Sequence, residues 1–152
     1  RSPDRARGEG HLRPTPHRAM NRSGRPLALG AVLAAVAVAA GAFGAHALAT
    51  RLEPHALALW ETAARYLTIG GFGAMIVGLA DGVFPGRGFG RAAILLAVGA
   101  LIFAATVFAL ALGAPRWLGA VTPLGGLGMI AGFGWAAMAA MAATAAGGLR
   151  ER

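Results

Sequence analysis

The chain has 152 residues, of which 57% are hydrophobic and only 13% charged, whereas a soluble domain usually carries about 25% charged residues. This shortfall indicates a membrane protein. All 14 basic residues are arginine and the net charge is +8. Cysteine is absent, which excludes disulfides, thiolate metal sites and cysteine nucleophiles.

The first part of the chain is strongly basic, because seven of the 14 arginines precede residue 26. Such an arm suits either nucleic acid or a cytoplasmic tail beside anionic lipid. It has no interleaved aromatic side chains on which bases would stack, so we favour the tail and expect no nucleic-acid partner. We interpret residues 1–19 as a disordered basic extension ahead of a natural start at Met20.

Four long stretches without charged residues follow this arm. A spanning helix needs roughly 20 apolar residues to cross about 30 Å of hydrocarbon, and only helices satisfy the backbone there without closing a barrel. The sequence "AHA" at 45–47 resembles a signal-peptide cleavage site, but the first apolar stretch is too long for one. We therefore predict an all-α, four-transmembrane-helix bundle. Its membrane domain covers residues 20–148, its spans are about 27–48, 66–84, 92–113 and 123–144, and residues 149–152 form a cytoplasmic tail.

The arginines that flank the spans indicate the orientation. With the N-terminus inside, six of them lie on the inner flanks and three on the outer flanks, which predicts that both termini are cytoplasmic. In this orientation Trp60, Tyr66 and Trp117 lie together at the outer interface, where amphipathic rings are enriched.

Residues 49–65 connect spans one and two. Leu57, Trp60 and Ala64 recur at helical spacing, and Pro54 suits the first turn of a helix. This pattern predicts a short interfacial amphipathic helix outside the membrane, with a plain polar connector as the alternative.

The sequence repeats "HAL" at His46 and His55. Nine helical steps would put these two histidines on opposite faces, and Pro54 interrupts the helix, so the pattern predicts no metal site. His46 alone lies near the outer end of span one and is either a functional ionisable group or a hydrogen-bonding histidine. Asp81 is expected to pair with Arg87 or Arg91 at the inner interface, with a proton or ion role as the alternative.

Small residues recur at spacings that favour close helix packing in a membrane. Span four carries a stripe four residues apart, and span two contains "GLADG". We expect these residues to form packing grooves within the bundle, with dimerisation through span four as an alternative. The predicted helix-packing residues are Gly78, Gly82, Gly128, Gly132 and Ala136, and the stripe continues to Ala140 and Thr144.

Two further motifs have structural explanations. In "VTPLGG", Thr122 is a good N-cap and Pro123 a good first helical residue. The segment "FPGRGFGR" at 84–91 is glycine-rich and basic, but it follows a helix and lacks the Lys-Ser/Thr pair of a P-loop. It predicts a tight cytoplasmic turn whose arginines fix the topology.

Residues 20–145 resemble the YgdD-like family of small bacterial integral membrane proteins, a domain of unknown function. The resemblance is carried by "GAFGAHAL", "WETAARY" and "TPLGGLGMIAGFGW". It implies four spans in the bacterial inner membrane and no established biochemical role. The motif residues are Gly41, Phe43, Gly44, His46, Trp60, Tyr66, Thr122, Pro123, Gly125 and Gly126.

One departure from that family pattern follows the tyrosine. Relatives tend to place glutamine directly after it and histidine four residues after it, where this chain has Leu67 and Gly70. Either a polar pair used by relatives is missing here, or these positions tune helix packing.

No catalytic constellation is visible, because the spans contain no paired carboxylates and no nucleophile elbow. We therefore expect a non-enzymatic membrane protein without a cofactor or metal. Its expected partners are the lipid bilayer and either a second copy or another membrane protein. The alternative is a small transporter or channel component with a polar pocket near His46, Thr122 and Tyr66.

Overall fold

The computed structural model describes residues 16–148, with side chains over residues 24–145, and this part of the chain is all-α. A short π-helix, Gly44–Leu48, continues the first α-helix, and a short 3-10 helix, Arg116–Ala120, precedes the last one. The four α-helices are α1 (Pro16–Phe43), α2 (Pro54–Val83), α3 (Phe89–Ala111) and α4 (Thr122–Gly148).

All four predicted spans are present as helices that are long and apolar enough to cross a membrane. The predicted all-α architecture with four spans is therefore confirmed. The breaks between the helices coincide with the charged and Pro- or Gly-containing segments of the sequence. Gly86, Gly88 and Gly113 adopt positive φ in these connections, a backbone region that glycine enters without steric cost.

The connector between spans one and two differs from the prediction in one respect. Residues 54–65 are helical, but they are the first turns of α2 rather than a separate interfacial helix. The reason is that Pro54 occupies the first helical position and nothing interrupts the helix before Val83. A helix of 30 residues is about 45 Å long, so about 15 Å of α2 extends beyond a hydrocarbon layer of about 30 Å.

The predicted boundaries at the two ends of the chain can be compared with the structure only in part. The first helix begins at Pro16, which is inside the segment 1–19 predicted as an extension. Residues 1–15 and the predicted tail 149–152 lie outside the described residues.

Helices α2 and α3 occupy the centre of the bundle. Short connections make consecutive helices antiparallel neighbours, and each helix packs mainly on the next one in the chain. Between residues 16 and 148, α1 and α4 do not contact each other. In the most apolar stretch of each helix, 39% of the residues of α2 and of α3 are buried, against 22% in α1 and 17% in α4. The outer helices therefore expose most of their surface to lipid.

The interior consists mostly of small side chains. Ala63, Ala92, Ala93 and Ala100 are fully buried, and Leu96 is the largest side chain that is completely buried. Such residues let helix backbones approach closely, which is how helices associate where lipid removes the hydrophobic drive. Large apolar side chains such as Ile130 point outward instead.

Candidate functional site at the aromatic end of the bundle

Most of the motif residues meet at one end of the bundle, where α1 and α3 finish and α2 and α4 begin. We call this the aromatic end. It contains two ring clusters, one around Trp60 and one around Phe103, together with a pair of threonines, Thr106 and Thr122. The clusters connect all four helices through side-chain contacts.

Trp60 joins the start of α2 to the end of α1. Its indole N–H donates to the carbonyl of Ala40 over 2.8 Å, and Ala40 belongs to the last turn of α1. The ring packs on Phe108 of α3 with centroids 4.4 Å apart and lies 6.1 Å from the ring of Phe43. A side chain at Gly44 would meet the indole, since a Cβ there would lie 2.7 Å from Trp60 Cδ1. Gly44 is therefore required for this contact.

His46 lies in the π-helix that continues α1. Gly44 and Leu48 at the two ends of this segment are buried, whereas His46 between them is exposed. The imidazole makes no hydrogen bond to the described residues. The π-helix is a rare conformation that appears mostly as single turns, frequently at functional sites.

Tyr66 and Phe103 form the second ring cluster. Their centroids are 4.7 Å apart, and Tyr66 is 41% exposed. On the α4 side, a Cβ at Gly126 would stand in ordinary contact with the Phe103 ring at 3.8 Å. A Cβ at Gly125 would collide with the backbone of Phe103 and would lie 2.8 Å from the carbonyl oxygen of Gly99. Gly125 therefore lets α4 approach the backbone of α3.

The two threonines form a short hydroxyl chain between α4 and α3. Thr122 Oγ1 donates to Thr106 Oγ1 over 3.0 Å, and Thr106 Oγ1 lies 2.9 Å from the carbonyl oxygens of both Ile102 and Phe103. The prediction that Thr122 is the N-cap of α4 is wrong, because Thr122 is the first residue inside the helix and its hydroxyl bonds to α3. The 3-10 helix leads directly into α4, and the Leu124 N–H bonds to the Val121 carbonyl there.

The structure does not bring every motif residue into these clusters. A Cβ at Gly41 would have nothing within 4 Å, and Pro123 is exposed in the first turn of α4. His46, Tyr66 and Thr122, which were predicted to line one polar pocket in the transporter alternative, have separate surroundings: exposure on the π-helix, the Phe103 ring and the Thr106 hydroxyl.

Comparison with known proteins assigns the chain to a family. Residues 40–126 match the family model described as protein of unknown function (DUF423). A UPF0382 membrane protein of Staphylococcus haemolyticus is 39% identical over 105 residues, which cover 69% of this chain and 85% of that protein. A UPF0382 membrane protein of Staphylococcus epidermidis has the same identity and coverage. The chain belongs to the DUF423 family. No solved structure matches it.

The DUF423 match coincides with the aromatic end and the central helix pair. It begins at Ala40, whose carbonyl accepts the Trp60 bond, and ends at Gly126, which lies on the Phe103 ring. The predicted resemblance to a family of small membrane proteins without an assigned role is confirmed. DUF423 membership supports the membrane location and supplies no reaction.

Sequence reasoning missed several residues of this DUF423 site, namely Ala40, Phe103, Thr106 and Phe108. Each is an ordinary member of an apolar span, and nothing in its own neighbourhood distinguishes it. The available signal was their position along the span. Phe103 and Phe108 lie in the last turns of span three, at the same depth as Trp60 and Tyr66 at the start of α2.

The small residues predicted to pack helices do so mainly inside the bundle. A Cβ at Gly78 would lie 3.1 Å from the Leu27 backbone of α1. Cβ atoms at Gly128 and Gly132 would lie 3.1 Å from Gly99 Cα and 2.9 Å from Leu96 Cβ of α3. Ala136 is partly buried, and Gly82 is exposed.

Leu67 and Gly70, which the family resemblance predicted to be departures, both serve packing. Leu67 is 2% exposed. Gly70 faces Ala100, and a Cβ at Gly70 would overlap the Ala100 methyl group. A histidine side chain therefore does not fit at position 70 of this DUF423 member without separating α2 from α3.

Asp81 caps a helix instead of pairing with an arginine. Its Oδ1 accepts the N–H of Gly90 over 2.9 Å, in the first turn of α3. The N-cap residue of α3 is Gly88, which has no side chain that could accept a hydrogen bond, so Asp81 supplies the acceptor. Arg87, one of its two predicted partners, donates from Nη1 to the Ala142 carbonyl of α4 over 2.6 Å.

Four polar side chains of the described residues thus hold different helices together: Trp60, Asp81, Arg87 and Thr122. No buried side-chain nitrogen or oxygen atom in this part of the chain lacks a hydrogen-bond partner. No group of three or more His, Cys, Asp or Glu residues there is placed to hold a metal ion. The aromatic end can position four helices and present exposed rings and His46 at a membrane interface.

Proposed function

We propose that this DUF423 member is a non-enzymatic component of the bacterial inner membrane that acts by helix–helix interaction, with a second copy or with another membrane protein. The observation that carries the proposal is an unoccupied small-residue face on α1. Its members are spaced three or four residues apart and all are exposed: Gly24, Ala28, Ala31, Ala35, Ala39 and Ala42.

This face lies opposite the surface through which α1 joins the bundle. Gly30, Leu33 and Ala37 are buried against the protein, and at about 100° per residue they are roughly half a turn away from Ala28 and Ala35. Small residues on a lipid-exposed helix permit close backbone approach by another helix. A helix that only faced lipid would have no need of them.

The stripe on α4 supports interaction less well. Gly128 and Gly132 pack on α3 and Ala136 is partly buried, so three of the five residues of the stripe predicted as a dimerisation surface are occupied inside the monomer. Ala140 and Thr144 remain exposed. We therefore favour α1 over α4 as the contact surface.

The absence of enzymatic chemistry remains part of the proposal. It is supported by the way in which the polar side chains are used: Trp60, Thr122 and Asp81 each bond within the protein, to a carbonyl, a hydroxyl and a backbone N–H. Each of these three contacts joins two helices, so helix packing accounts for the side chains without a reaction.

Thiol cross-linking in native membranes tests the interaction. The chain has no cysteine, so Ala35→Cys introduces a unique thiol on the α1 face. Ala105→Cys is the matched control, because Ala105 is exposed on α3 beside the exposed Leu101 and Ile102. We expect a discrete cross-linked product for Ala35→Cys and none for Ala105→Cys. Monomer alone in both variants would count against the proposal.

We further propose that both termini face the cytoplasm. The support comes from the sequence, in which six arginines flank the spans on the side of Arg25, Arg87 and Arg91 and three flank them on the other side. A membrane-impermeant maleimide should label Ala49→Cys in intact cells and Pro85→Cys only after lysis. The reverse labelling pattern would invert the topology.

A transporter or channel role is the second candidate, and one observation favours it. His46 is exposed on a π-helix, a conformation that often marks functional sites. Proton or solute flux into liposomes above background, lost in His46→Ala and kept in His55→Ala, would support this role. Background flux in all three proteins would remove it.

A further inference from the structure

The charged residues are distributed unevenly between the two ends of the bundle. The aromatic end has three arginines and two glutamates among the described residues: Arg51, Arg65, Arg116, Glu53 and Glu61. At the opposite end, the residues whose side chains are described include three arginines and one aspartate: Arg25, Arg87, Arg91 and Asp81. The carboxylate of Asp81 accepts the Gly90 N–H. This end therefore presents the stronger positive field.

Arg87 is fixed in place by the turn that carries it. Residues 84–88 join α2 to α3, and Gly86 and Gly88 on either side of Arg87 have φ of 82° and 89°. The Arg87 guanidinium donates from Nη1 to the carbonyl of Ala142, which attaches the turn to α4. Part of the entropy that a free arginine would lose on binding a ligand is thus already lost in the unliganded protein.

The rest of the Arg87 side chain is available for a ligand. The side chain is exposed, and a guanidinium has five N–H donors in a fixed planar fork, of which one is used by Ala142. Arg91 is also exposed, in the first turn of α3, where the helix dipole favours negative charge.

Trp135 marks the depth of this turn in the membrane. A Cβ at Gly88 would lie 3.0 Å from Trp135 Nε1, so the indole lies against the turn. Tryptophan with its polar edge next to a charged loop is typical of the headgroup region. Arg87 and Arg91 therefore lie at the level of lipid phosphates.

We propose that the α2–α3 turn binds the phosphate of an anionic phospholipid headgroup, with Arg87 as the main donor and Arg91 as the second. A guanidinium matches phosphate oxygens with two parallel charge-assisted hydrogen bonds. The carboxylate of Asp81 offsets only one of the three arginine charges described at this end, and it accepts the Gly90 N–H at the start of α3. The site is independent of the contact surface proposed on α1.

Native mass spectrometry of the purified full chain tests the site. Phosphatidylglycerol and phosphatidylcholine are offered to the unmodified protein, to Arg87→Gln/Arg91→Gln and to Arg51→Gln/Arg116→Gln, which removes the same charge at the aromatic end. We expect phosphatidylglycerol binding to weaken by about tenfold in the first pair only. Equal loss in both pairs would show a general charge effect and overturn the proposal, as would no loss in either.

One further variant and additional controls keep the result interpretable. Arg87→Lys retains the charge but loses the planar fork, and we expect phosphatidylglycerol binding between those of the unmodified protein and the glutamine pair. Helix content by circular dichroism shows whether each variant is folded. Bound phosphatidylglycerol should persist in excess inorganic phosphate. Displacement by inorganic phosphate, or preference for an acidic peptide over the lipid, would overturn the lipid assignment.

Discussion

The indole N–H of Trp60 lies 2.8 Å from the carbonyl oxygen of Ala40, 20 residues earlier in the chain. This bond attaches the second turn of α2 to the last turn of α1, directly before the π-helix at Gly44–Leu48. The same ring closes over Gly44 and packs on Phe108. One side chain thus sets how α1 ends and where His46 is presented.

The first prediction concerns this hydrogen bond. Trp60→Phe removes the N–H donor and keeps an aromatic ring beside Phe108. We expect the free energy of unfolding to fall by about 0.5–1.5 kcal/mol, the net worth of one such bond. Denaturant unfolding in micelles, followed by circular dichroism, measures the change. Trp117→Phe is the control, because Trp117 is 67% exposed and donates no hydrogen bond to the described residues. An equal loss in the two variants would refute the assignment.

The second prediction compares two glycines three residues apart. Alanine is more favourable than glycine in a helix by about 1 kcal/mol, so Gly41→Ala, with nothing within 4 Å of its Cβ, should stabilise the protein. Gly44→Ala should destabilise it by about 1–3 kcal/mol, because the new methyl group would press on the Trp60 indole. The same unfolding assay gives both values. Stabilisation by both substitutions would mean that the indole moves aside at no cost.

The existence of the four helices follows from the sequence, because charges interrupt the apolar stretches and hydrocarbon leaves the backbone few alternatives. The start of α2 at Pro54 was not predicted. The motif residues that form the aromatic end were also identified from the sequence. Their partners were not. Whether Phe103 and Phe108 face Tyr66 and Trp60 depends on the rotation and depth of α3, which local periodicity does not determine.

Two local interpretations failed for a shared physical reason. Thr122 has the residue type and position of an N-cap, and Asp81 lies near two arginines in sequence. Each instead bonds to a different helix, to Thr106 and to the Gly90 N–H. In both cases the hydrogen-bond partner belongs to another helix rather than to a nearby position in the sequence, because the helices approach closely enough for polar groups to reach across. The prediction of a separate interfacial helix was wrong because no helix-breaking residue separates the segment after Pro54 from the rest of α2.

The third prediction concerns the pair of threonines. Thr106→Val and Thr122→Val keep shape while removing the hydroxyl groups, and the double variant completes a cycle that isolates their interaction. We expect a coupling energy of about 0.5–1.7 kcal/mol, the range for interhelical hydrogen bonds in membrane proteins. A cycle between Thr106 and the exposed Thr144 should give no coupling, since Thr144 bonds only within α4. Zero coupling between Thr106 and Thr122 would rule out the bond.

The fourth prediction concerns the cap that Asp81 supplies to α3. Asp81→Ala leaves the Gly90 N–H without its acceptor and should lower the free energy of unfolding by about 1–2 kcal/mol, which combines a lost cap with a lost charge at the positive end of a helix. Asp81→Asn keeps an oxygen acceptor and should lose less. Amide hydrogen exchange locates the effect, and we expect it to accelerate at Gly90 in Asp81→Ala.

Glu61→Ala is the matched control for the Asp81 variants, because Glu61 is an exposed carboxylate in the same helix. Removing an exposed surface charge away from a cap should change the stability by no more than about 0.5 kcal/mol. A gap between the two alanine variants therefore measures the cap itself. The outcome against this cap would be an equally small loss of stability in Asp81→Ala and Glu61→Ala, with unchanged amide hydrogen exchange at Gly90. The first turn of α3 would then not depend on α2 for its hydrogen-bond acceptor.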